Sequence, residues 1–120
     1  PRNHPLALKA QIALADLAGV KMIERCHCEF QGEVANAFAR YQVVPDIVAR
    51  AQNEEWALAL AGAGVGVALV PESSVRDSAQ VVVRPLALKL LRRVGLAYDP
   101  AVPPSPALRA ALALCRETRA

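Results

Sequence analysis

The sequence predicts an α/β domain built on a mainly parallel sheet. Three observations carry that prediction. Apolar residues fill 54% of the 120 positions and aromatics only 4%, so the core must be made of Ala, Val, Leu and Ile. Those residues separate into Val-rich runs suited to strands and Ala/Leu-rich runs suited to helices. The runs alternate as strand, helix, strand, helix, strand, which implies parallel pairing through right-handed crossovers.

Each element has its own local signal. Residues 1–10 are an extended leading segment. Residues 11–18 form a helical turn closed by Gly19. Residues 20–24 (VKMIE) are a short β-branched and apolar strand. The period then becomes helical over 28–41, with Phe30, Val34, Ala37, Phe38 and Tyr41 on one face. Glu29 and Glu33 near its start and Arg40 near its end suit the helix dipole.

Residues 47–51 (IVARA) make the second strand. Asn53 caps the next helix, with Glu54 and Glu55 in its first turn. That helix carries Trp56, Leu58, Ala59 and Leu60 and ends in the Gly62–Gly66 run. Residues 65–70 (VGVALV) are a third strand stopped by Pro71. Residues 72–79 read as a polar turn or short helix. Residues 81–83 and 94–98 are expected as a fourth and a fifth strand, with 84–92 crossing over between them. After a proline-rich loop, Ser105 caps a last helix with Pro106 at its first position.

Composition excludes several classes. One domain of this length buries a core without staples. The net charge of +3 is mild, and outside Lys89, Arg92 and Arg93 the basic residues are scattered. No basic cluster is interleaved with aromatics, so nothing resembles a nucleic-acid footprint. The longest apolar stretch, 57–70, is too short to span a membrane and is broken by glycines. Three cysteines, an odd number, argue against a disulfide framework and for a reducing cytoplasm. The start is polar, carries no signal peptide and lacks Met, as expected of a piece of a longer chain.

The chemistry-bearing residues cluster at strand-to-helix corners. The run Gly62-Ala63-Gly64-Val65-Gly66 is not a phosphate loop, because a helix precedes it and a strand follows; it reads as a helix C-cap with a tight turn. Cys26-His27-Cys28 offers soft ligands, but adjacent positions do not suit a tetrahedral metal, and a fourth ligand would have to come from Cys115 or His4. A Cys26–Cys28 disulfide would be strained. Cys28, beside His27 at the start of a helix, has a setting suited to a reactive thiol. The favoured reading is that this turn lines a ligand cleft, since ligands bind at the carboxyl ends of parallel strands.

On the same edge the second corner offers Gln52, Asn53 and Glu54, and the third strand delivers Pro71 and Glu72. The candidate ligand-binding set is therefore Arg25, Cys26, His27, Cys28, Gln52, Asn53, Glu54, Pro71 and Glu72. Trp56, the sole Trp, is expected in the core or at an interface. Ser73 and Ser74 have no positioned His or acid partner in any recognisable motif, which argues against a hydrolase.

Several stretches carry a family resemblance. His4-Pro5-Leu6-Ala7 and the following 12–19 (IALADLAG) are one, and 21–29 (KMIERCHCE) is another. The most specific is 54–73 (EEWALALAGAGVGVALVPES), with 92–100 and 105–117 fitting behind it. In this order and spacing the chain resembles the C-terminal part of the effector-binding domain of LysR-type transcriptional regulators.

The resemblance implies a lobe like those of type II periplasmic binding proteins, three-layer αβα with a mainly parallel sheet. Residues 5–84 would be the second lobe. Residues 85–120 would supply a crossover and the returning strand and C-terminal helix of the first lobe. The winged helix-turn-helix is absent, so DNA would be bound only through that missing domain. A small-molecule effector and a homo-oligomer, with a protomer contact on helix 53–62 or 106–117, are implied as partners. A cytoplasmic location is implied, with no enzyme activity, cofactor, metal or membrane partner. Two alternatives stand beside this: a solute-binding protein of the same fold, and a thiol-based redox sensor. In the peroxide-sensing branch the reactive cysteine falls where His27-Cys28 lies, but residues 30–44 contain no partner Cys.

Overall fold

The computed structural model describes residues 1–75, 80–91 and 95–117. Three parallel strands form its sheet: β1 (Lys21–Arg25), β2 (Asp46–Ala51) and β3 (Val67–Ala68), in the order β2-β1-β3. Helix α1 (Gln31–Arg40) joins β1 to β2, and α2 (Glu54–Gly62) joins β2 to β3. The chain thus steps to one side of β1 and then back across it. Right-handed crossovers in opposite directions put the two helices on opposite faces of the sheet.

Neighbouring residues of β1 point into the two resulting layers. Met22 packs with Ile12, Leu14, Leu17 and Val43, and α1 adds Ala37 and Phe38. Ile23 packs with Ala51, Val81 and the α2 residues Ala57 and Ala61. β1 and β2 run in register except for one irregularity, where Met22 pairs Ile47 but Ile23 pairs Ala49.

The helix ends follow from local chemistry. Asn53 accepts from the Trp56 amide at 2.9 Å and so caps α2. At the other end of α2, Val65 N donates to Leu60 O and Gly64 N to Ala61 O, with Gly64 at φ +81°. This double bond pattern closes a helix with a left-handed residue, and the glycine run is the C-cap that its order predicts. α1 closes in the same way, Val43 N to Phe38 O and Gln42 N to Ala39 O, with Gln42 in the left-handed position.

Some expectations require correction. The helix expected over 28–41 starts at Gln31, because residues 28–30 form a turn in which Cys28 O accepts from Gln31 N. Tyr41 lies past the helix end and is largely exposed. The third strand shortens from 65–70 to Val67–Ala68. Residues 81–83 and 95–98 are not strands: the sheet of the described residues is β2-β1-β3 alone, although Val81 packs beside Ala68 and Val70. Val94, residues 76–79 of the expected polar turn, and Arg92 and Arg93 of the basic cluster lie outside the described residues. Trp56 is 58% exposed and does not join the core.

The segment after Arg84, expected as a crossover, pairs with Ile12. Ile12 N donates to Pro85 O and Ala87 N to Ile12 O, a parallel bridge between residues far apart in sequence. Beyond it, α3 (Pro106–Glu117) is capped by Ser105, whose Oγ accepts from Leu108 N at 3.2 Å. No helix among the described residues is long and apolar enough to cross a membrane.

Candidate functional site

Because the sheet is parallel, β1, β2 and β3 end on one edge, and one residue ties that edge together. Arg25 is the last residue of β1, and its side chain is 8% exposed. Nε donates to Leu69 O, just past β3, at 3.0 Å. Nη1 bonds the Glu54 carboxylate in the first turn of α2. Nη2 meets the Cys28 sulfur at 2.8 Å. Three acceptors from three segments thus surround one guanidinium, whose fixed fork suits such a node better than an ammonium would.

The turn after β1 is built around this contact. Cys26 N donates to Ala51 O at 2.8 Å, continuing the β1–β2 ladder by one residue. His27 then takes a left-handed conformation, φ 56°, and is exposed. This reversal brings Cys28 back over Arg25.

Two clefts flank the node and share Arg25, Cys28, Val34 and Leu69 as walls. One, of about 370 Å³, runs along the strand ends to Pro71, Glu72 and Leu91. The other, of about 260 Å³, runs beneath α1 between Met22, Phe38 and Ile47.

The nine candidate residues therefore separate. Arg25, Cys28 and Glu54 are in direct contact. Pro71 and Glu72 join Arg25 and Cys28 around the strand-end cleft. Cys26 takes part through its backbone. Gln52 and Asn53 are exposed at the corner, with the Asn53 side chain occupied as a cap. His27 points to neither cleft's wall. The apolar walls, Met22, Val34, Phe38, Ile47 and Leu69, were not among the candidates. Val34 and Phe38 carried a signal, since they are four residues apart on the predicted helical face.

Among the described residues no three His, Cys, Asp or Glu side chains converge on a point that could hold a metal ion. The three cysteines are free.

A family model described as the LysR substrate binding domain matches residues 1–120. The chain belongs to the LysR substrate binding domain family. Among solved structures it is similar to HinK, a LysR family transcriptional regulator from Pseudomonas aeruginosa, at 24% identity and a TM-score of 0.72. That alignment covers 98% of this chain and 42% of HinK, so the chain spans less than half of the regulator it matches. No curated protein matches the chain at a significant level. The HinK likeness is one of fold, and it agrees with the parallel α/β lobe of this LysR substrate binding domain.

Proposed function

We propose that this chain is the effector-sensing module of a LysR-type transcriptional regulator, and that a small molecule binds at the carboxyl edge of its sheet. The observation that carries the proposal is the substrate-binding family match along the whole chain. The strand-end cleft of about 370 Å³ beside Arg25, Cys28 and Glu72 supports the location. Its volume falls within the range of roughly 300–1,000 Å³ typical of small-molecule sites. In this reading residues 5–84 are one lobe, and 85–120 return to a second. Effector binding favours one arrangement of a cytoplasmic homodimer because it binds the two arrangements unequally. DNA is contacted by a separate domain, and the module performs no chemistry on its ligand.

A thermal-shift screen against aromatic acids, amino acids and central metabolites tests this. A concentration-dependent rise in Tm, with amide shifts at residues 26–28, 52–54 and 71–72, is the expected result. Stabilisation whose amide shifts avoid all three corners would overturn the assigned site.

A second reading is favoured by one contact, the guanidinium of Arg25 against the Cys28 sulfur. A cation beside a sulfur suits a thiol that reacts with oxidants. Mass spectrometry after graded peroxide treatment separates the two: selective oxidation of Cys28 ahead of Cys26 and the exposed Cys115 supports redox sensing, and oxidation in order of exposure removes it.

A further inference from the structure

We propose that the cleft beneath α1 is the apolar arm of the effector site. It takes one aromatic ring or a short hydrocarbon chain of a small molecule whose polar end lies at the strand ends. The position of the polar end rests on the strand-edge reading above; the cleft rests on its own geometry.

The two helices cover the sheet unequally. α2 seats two alanines against it, with Ala57 at 0% and Ala61 at 6% exposure. α1 has no buried residue. Its C-terminal half is anchored, since Ala37 and Phe38 pack on the cluster around Met22. Its N-terminal half, at Gln31, Val34 and Ala35, borders the cleft instead. Small residues let α2 approach closely; α1 leaves a gap whose lining side chains lack partners on one side.

The walls select an apolar occupant. Met22, Val34, Phe38, Ile47 and Leu69 line it. The charged groups that reach it are already paired, Arg25 with Glu54 and Glu24 with Arg50. An ionic group in the cleft would have to displace one of those partners, whereas an apolar group displaces only water.

The size selects part of a ligand. An apolar cavity of roughly 150 Å³ accepts benzene. The cleft, at about 260 Å³, exceeds that and falls below the volumes usual for a whole drug-sized ligand. One substituted ring fits. The four walls shared with the strand-end cleft set the two spaces side by side at Arg25 and Cys28.

The test is a toluene titration of the intact chain, followed by NMR of the methyl and aromatic groups. Saturable shifts are expected at Met22, Val34, Phe38 and Ile47. Ala35→Trp and Ile47→Trp each place an indole at an exposed position on the cleft's mouth that does not line the strand-end cleft. Each is expected to weaken toluene binding at least about tenfold while retaining the wild-type circular dichroism spectrum. No saturable shift in the wild type would overturn the proposal. So would undiminished binding in both variants, or a change of oligomeric state in both, which would mark the cleft as covered by a second copy. Metabolites that stabilise wild type and both variants equally would leave the strand-edge reading standing and remove the arm pocket. Toluene binding with no metabolite shifting the strand-edge amides would keep the apolar pocket and remove the strand-edge reading.

Discussion

Arg25 donates through Nε to the carbonyl of Leu69, 44 residues further along the chain. The same side chain bonds Glu54 and Cys28, so one guanidinium joins the exits of β1 and β3 to the start of α2. Arg25→Ala leaves a partly buried carboxylate and a carbonyl without their donor. The expected loss of stability is about 2–4 kcal/mol. Arg25→Lys supplies a point charge in place of a fork and should recover less than half of it. Urea unfolding of the three proteins measures this; an alanine variant as stable as wild type would show that the node contributes nothing.

Gly66 marks a close backbone approach. A Cβ there would lie 2.6 Å from Lys21 O and 3.0 Å from its carbonyl carbon. Because backbone cannot swing aside as a side chain can, Gly66→Ala must push β3 from β1 and should cost about 1–3 kcal/mol. Faster amide exchange at Val67 and Ala68 would accompany it. Unchanged exchange and stability would mean the strands separate without cost.

Asn53 caps α2 through its side chain. Asn53→Ala should lower stability by about 1 kcal/mol and Asn53→Asp should leave it nearly unchanged. If Asn53 contacts the effector as well, the alanine variant also loses ligand-induced thermal stabilisation beyond that shift. A variant destabilised in the apo form alone assigns Asn53 to capping.

Asp16 accepts from Lys9 Nζ at 2.7 Å and from Ala13 N at 2.9 Å. The Lys9 bond first, then the backbone bond, hold its carboxyl below the ordinary aspartate value. A folded value below the unfolded one gives stability that is full above the unfolded pKa. That stability is lost as pH falls through the folded value. Wild-type Tm should therefore fall more steeply than that of Asp16→Asn as pH drops below about 4, and the two curves should converge in acid. Parallel curves would show that these bonds survive unchanged in the unfolded chain.

The common placement of the candidate residues was legible because parallel α/β connectivity sends every strand end to one edge. Arg25, Glu54, Cys28 and Glu72 were named as members of one edge from strand order alone. Their roles were not legible. Nothing local tells that Arg25 is consumed by Glu54, Leu69 and Cys28, because those partners are 29, 44 and 3 residues away and only the folded sheet brings all of them together. The apolar walls also went unnamed, since Met22, Phe38 and Ile47 read as ordinary core residues along the chain.

By itself the sequence determined what neighbouring residues decide: the helix over 54–62 with its Asn53 cap and glycine exit, the first two strands, the parallel sense of the sheet and the Ser105 cap of α3. Each is governed by interactions within a few residues, or by the length of chain needed to cross a sheet. Tertiary structure alone decided whether a Val-rich run becomes a strand. Residues 81–83 have the composition but pair with no strand among the described residues, and Val81 is buried without belonging to the sheet. It also decided that α2 lies close on the sheet while α1 leaves a cleft, since that depends on which side chains meet across the layers.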